Sequence, residues 1–112
     1  MITCTLKYII DPYKLSEFEA YSKAWIYLVE KLGGQHHGYL LPHEGPNNVA
    51  YANFSFDSLA AYEAYRETMA ADPECQAVYA FAEKTRCIVS FERSFTRPLL
   101  SGATPQELGM ME

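Results

Sequence analysis

The residues best suited to chemistry lie between Gln35 and Phe56, in QHHGYLLPHEGPNNVAYANFSF. All three histidines fall there, His36, His37 and His43, with Glu44 beside the last and Tyr51 and Asn53 further along. An imidazole titrates near neutrality, so a histidine here can act as base toward a carbon acid or as a single axial ligand to haem. A metal centre is not expected. Adjacent His36 and His37 point to opposite faces of a strand, and His37 and His43 share a phase but lie about 20 Å apart at roughly 3.3 Å per residue. Zinc draws its ligands to about 2 Å. His37 is the stronger candidate of the pair, because strict alternation puts it on the same side as Tyr39, while Tyr51 and Asn53 on the neighbouring strand offer a phenol and an amide to orient a small ligand.

The elements that must position these groups follow from periodicity. Ile2 to Ile10 alternates Cys4, Leu6, Tyr8 against Thr3, Thr5, Lys7 and reads as a first strand. Asp11-Pro12 predicts a helix start. Leu15, Phe18, Ser22, Trp25, Leu28, Val29 and Leu32 then form one helical stripe, and Gly33-Gly34 stops it. Gln35 to Pro42 and Asn48 to Phe56, joined by a turn rich in Gly, Pro and Asn, predict an antiparallel hairpin. Asp57 or Ser58 caps a second helix, Asp72-Pro73 starts a third after a break at Ala71, and Arg86 to Thr96 is the last strand. The tail from Leu99 has too little apolar content to hold itself down and is expected to fray or lie on a neighbour.

This order, β-α-β-β-α-β, predicts an α+β ferredoxin-like fold: a four-stranded antiparallel sheet with its helices on one face. Alternation sends Ile9, Tyr39, Tyr51 and Ile88 to the other face, an apolar patch that a second copy packed sheet to sheet would cover. A homodimer is therefore expected.

Composition narrows the field. A chain of 112 residues, 49% hydrophobic, suits one domain, residues 1–97, with a tail at 98–112. A net charge of −5 with only 9 Lys and Arg argues against nucleic acid as a partner. Cys4, Cys75 and Cys87 lack the spacing of a disulfide framework or a zinc knuckle, which points to a reducing cytoplasm. No apolar run approaches the roughly 18 residues of a membrane span, so no membrane partner is expected. Phosphate loops, nucleophile elbows and paired carboxylates are absent from the sequence. Trp25 reads as a packing residue, Cys75 and Cys87 as small core residues, and Arg66 with Glu63 and Glu67 as a solvated helix face.

With HHGYLLPHEGPNN, the helix start FDSLAAYEAYR, the ADPE break and the final strand in view, the chain resembles the NIPSNAP family of dimeric α+β barrel proteins from roughly Met1 to Arg97. The resemblance implies two ferredoxin-like units whose sheets join into a barrel across a two-fold axis. Where family members often carry an acid and an arginine two residues apart in strand one, this chain has Thr5 and Lys7. The expected ligand-binding set is thus His37, Tyr39, Tyr51, Asn53 and Lys7, facing a barrel pocket that takes a small molecule. No cofactor is expected and no catalytic residue is assigned. A non-catalytic interaction module and a cofactor-independent oxygenase or isomerase are the alternatives.

Overall fold

Alternation in the first strand sorts its side chains cleanly. In the computed structural model, which describes residues 1–111, strand β1 (Ile2–Ile10) buries Cys4, Leu6, Tyr8 and Ile10 and exposes Lys7 on the other side. Helix α1 (Leu15–Lys31) lays Phe18, Trp25, Leu28 and Val29 over those residues. It begins later than Asp11-Pro12 suggested. The Asp11 carboxylate accepts from the Tyr13 backbone N–H at 2.9 Å, so the capping acid closes a turn ahead of the helix, and Lys14 takes the N-cap position without a side-chain cap. At the far end Gly33 adopts φ +96°, and Gly34 packs so closely that a Cβ would lie 2.8 Å from the Phe56 ring.

Strands β2 (Gln35–Leu40) and β3 (Val49–Phe56) form the hairpin, followed by α2 (Leu59–Ala71), α3 (Pro73–Thr85) and β4 (Ile88–Thr96). Ser58 caps α2 by accepting from the Ala61 N–H at 3.1 Å, and Asp72 caps α3 by accepting from the Cys75 N–H at 3.0 Å. Proline at the first position of α3 sacrifices no helical hydrogen bond. The sheet order is β2-β3-β1-β4, antiparallel throughout, with the helices on one face, as the ferredoxin-like reading predicts. Ala50 and Ala52 are fully buried, their small side chains admitting the helices to the middle of the sheet.

Two register shifts change which residues share a face. In β2, His36 stands opposite Phe54 and Tyr39 opposite Ala52, so His37 and Gly38 together face one residue of β3. Gly38 adopts φ +90°, a conformation that a side chain would strain. The bulge returns Tyr39 to the helix side, where it stacks on Tyr8 with ring centroids 6.1 Å apart. A second shift, between Ile9 and Ile10, pairs Ile10 with Ile88 and turns Ile88 inward as well. The expectation that Tyr39 and Ile88 point away from the helices is therefore corrected: simple alternation fails wherever a strand carries one extra residue.

The open face is consequently more polar than expected. Thr3, Thr5, Lys7, Asn53, Ser55, Ser90, Glu92 and Ser94 occupy it, with Ile9, Leu40, Val49 and Tyr51 gathered toward one end. On the helix side β4 is left uncovered, since Phe91, Arg93 and Phe95 stand opposite Tyr8, Leu6 and Cys4 yet remain exposed. Beyond Thr96 the tail folds a small turn in which the Thr104 hydroxyl accepts from the Glu107 N–H, while Leu99, Leu100 and Met110 stay in solvent. Cys4, Cys75 and Cys87 are buried and free. Among the described residues no helix is long and apolar enough to cross a membrane.

Candidate functional site

The hairpin side chains fall on two faces. His37, Tyr51, Asn53 and Lys7 share the open face, whereas Tyr39 lies across the sheet among the helix-side aromatics. The His37 Nε2 is 2.7 Å from the Ser55 Oγ, and that oxygen is in turn 2.7 Å from the Thr3 Oγ1. The Thr5 hydroxyl donates to the Asn53 Oδ1 at 2.9 Å. Ser55 is only 2% exposed, so the His37–Ser55 pair holds its hydroxyl out of reach of a substrate. This network ties β1, β2 and β3 together; Lys7 and Tyr51 beside it are exposed.

His36 faces the helices and is different in character. Its ring stacks between Tyr39 and Phe54, at centroid distances of 5.2 and 5.6 Å. The Nδ1 accepts from the Gly38 N–H at 2.9 Å, which leaves the proton of the neutral ring on Nε2, buried and without a partner. Burial, and after it the charge of neighbouring His37, push this imidazole down to about 4. The sign of the linkage is definite: a histidine held neutral when folded contributes stability above its unfolded value near 6.5, and that contribution is lost as pH falls toward 4. Urea unfolding at pH 7 and pH 4.5 is expected to show a larger loss for the parent than for His36→Phe, and equal losses would refute it.

One concave region, of about 280 Å³, lies at the hairpin turn between Leu40, His43, Glu44 and Tyr51, and another lies on the helix side, where β4 is bare. An inner recess of about 50 Å³ is lined by Trp25, Tyr65, Arg66 and Met69 among others, and an outer one of about 240 Å³ by Ala82, Glu83, Ile88 and Phe91. The two share Leu6, Tyr8, Tyr21, Tyr79 and Arg93. Tyr8, Tyr21, Tyr39, Tyr62, Tyr65 and Tyr79 give the inner recess six of the chain's 9 tyrosines. The Trp25 Nε1 is buried there without a well-aligned acceptor, although the Tyr21 hydroxyl lies near enough to feel it. Arg66 donates to the Tyr62 hydroxyl at 3.0 Å, and the Arg93 guanidinium lies 5.4 Å above the centre of the Phe91 ring. Both positive charges act on the Tyr79 hydroxyl, so the arginines converge on one wall of the cleft. Burial pushes Tyr21 up to about 12 and raises Tyr8, Tyr39 and Tyr65 further, so these phenols stay protonated at neutral pH.

The NIPSNAP family model matches residues 5–101. The chain belongs to the NIPSNAP family. Solved structures agree on its fold. A NIPSNAP domain protein from Burkholderia xenovorans is 21% identical, with 93% of this chain and 100% of that one covered and a TM-score of 0.72. A NIPSNAP family protein of unknown function from Agrobacterium tumefaciens is 19% identical over 88% of this chain and 87% of its own, with a TM-score of 0.75. A putative antibiotic biosynthesis monooxygenase from Nitrosomonas europaea is 8% identical over 89% and 100%, at 0.68. No curated protein matches. At these identities the structures establish the shared fold alone.

In this NIPSNAP chain, then, the cleft draws on residues that periodicity had assigned to packing or to solvent. Trp25 does sit on the buried stripe of α1, but its N–H is spare. Arg66 does stand on an exposed helix face, but that face borders the recess. The available signal was the number of tyrosines at core-phase positions: a phenol in a core needs a partner, and so many of them imply a wet or ligand-lined interior. Among the described residues no group of three His, Cys, Asp or Glu gathers as a metal site would require.

Proposed function

We propose that this NIPSNAP protein binds a small molecule in the cleft between α3 and β4, within a homodimer whose contact is the open sheet face. The single observation that carries the reading is the Trp25 indole N–H, buried in the recess wall with no well-aligned acceptor, the nearby Tyr21 hydroxyl included. An orphaned buried donor costs about 1 to 3 kcal/mol, and an acceptor on a ligand would recover it. The volume argues for a compact ligand. Pockets for drug-sized molecules begin near roughly 300 Å³, and the outer recess offers about 240 Å³.

Binding is favoured over catalysis. The fold is shared with proteins named as putative antibiotic biosynthesis monooxygenases, and an oxygenase working without a cofactor must first take a proton from its substrate. The inner recess is lined by phenols, guanidinium groups and apolar residues, with no carboxylate or imidazole among them to take that proton, and the one carboxylate at the outer recess, Glu83, lies 3.1 Å from Arg86.

Trp25 is the only tryptophan of the chain, so its emission reports on the site directly. A library of one- and two-ring aromatic compounds is expected to contain members that quench this emission saturably and raise the melting temperature. Ala82→Phe fills the outer recess and should abolish both effects with the helical circular dichroism unchanged. Compounds acting equally on the parent and on Ala82→Phe would refute the cleft as the site.

A further inference from the structure

The cleft has donors to spare and almost nothing negative to receive them. Each guanidinium carries five N–H donors; Arg66 spends one on the neutral Tyr62 hydroxyl, and Arg93 rests on the face of Phe91. Among the described residues neither arginine is paired with a carboxylate, the ion pairs being made by Lys23, Lys31 and Arg86. Glu83 is the one acid at the outer recess, and it lies 3.1 Å from Arg86, already engaged. The Trp25 N–H adds a donor without a well-aligned acceptor on the inner wall. All this stands in a chain of net charge −5, so the arginines form a local positive spot in an otherwise acidic molecule. Between the donors the walls are aromatic faces, Tyr79 standing edge-on to Trp25 at 5.3 Å.

Building on the cleft as the binding site, we infer that its ligand is an aromatic carboxylate, held with the carboxylate between Arg66 and Arg93 and the ring against the tyrosines and Trp25. A guanidinium matches the two oxygens of a carboxylate in one plane, giving two parallel charge-assisted hydrogen bonds. Flat aromatic walls prefer a planar body at van der Waals distance over a branched one. The protonated phenols fit the same ligand, since they offer hydrogen to an acceptor and add no negative charge of their own.

Calorimetry with 2-naphthoate and its uncharged isostere 2-naphthamide separates the ligand class from the site. The parent is expected to bind the carboxylate about 10- to 100-fold more tightly than the amide, the range for a hydrogen bond to a charged group. Arg66→Gln and Arg93→Gln should each erase most of that preference by weakening the carboxylate far more than the amide, and both sit at exposed positions where folding is preserved. Equal affinity for the two compounds in the parent overturns the acidic class while the cleft stands as a small-molecule site. A preference that survives both substitutions overturns the role of the arginines. Failure of the carboxylate to bind overturns this inference, and the fluorescence titration then decides separately whether the cleft binds anything at all.

Discussion

Replacing Tyr39 by alanine is expected to cost about 2 to 3 kcal/mol of stability, at or below the low end of the range for a fully buried aromatic side chain, because the ring is partly buried. The expectation depends on the β2 bulge. With Tyr39 on the helix side, its ring contacts Tyr8, Phe18 and His36 at centroid distances of 6.1, 5.9 and 5.2 Å, and truncation opens a cavity at the junction of α1 and the sheet. Regular alternation would leave the same ring beside exposed His37, where removal costs little. Tyr13, 92% exposed, supplies the internal control, and Tyr13→Ala is expected to stay within about 0.5 kcal/mol of the parent. Urea midpoints at one fixed protein concentration make the comparison, the concentration being held because association contributes to apparent stability. Similar small shifts for both variants would mean that the bulge does not form. Gly38→Val tests the same feature from the backbone, with an expected loss of about 1 to 2 kcal/mol for a side chain forced to positive φ.

The protein is also expected to sediment as two chains, twice 12.7 kDa, at micromolar concentration. A single chain leaves apolar surface wet on the open sheet face, where Leu40 is 66% exposed and Tyr51 41%, with Ile9 and Val49 partly exposed beside them. A stable interface buries about 800 Å² per partner, and the four-stranded face is the broad flat surface available to a second copy. Part of its polar centre already satisfies itself, Thr3 with Ser55 and Thr5 with Asn53, and Lys7 and Glu92 stand opposite each other on β1 and β4. Tyr51→Arg combined with Leu40→Arg should shift the equilibrium to single chains, since two exposed charges would face their own symmetry mates. A parent of 12.7 kDa across the concentration series would remove the dimer from the proposed function.

These two experiments divide along a line that runs through the chain itself. Periodicity determined the order of elements, because a helical stripe and a strand alternation are local signals that tertiary context seldom overrides over so many residues. The caps at Ser58 and Asp72, the stop at Gly33 and the break at Ala71 were equally local: each depends on a side chain reaching its own backbone or on glycine reaching φ +96°. The family was legible for the same reason, its marks lying in turns and helix starts. Which face a residue occupies was not local. One extra residue at His37-Gly38 and another shift at Ile9/Ile10 moved Tyr39 and Ile88 across the sheet, and nothing in the alternation of hydrophobic residues announces where a strand will bulge. The cleft is the other product of tertiary structure. Tyr8, Trp25, Arg66, Tyr79 and Arg93 come from five different elements and meet only because the helices cover β1 to β3 and stop short of β4, so their shared chemistry exists in the packed molecule and in no segment of the chain.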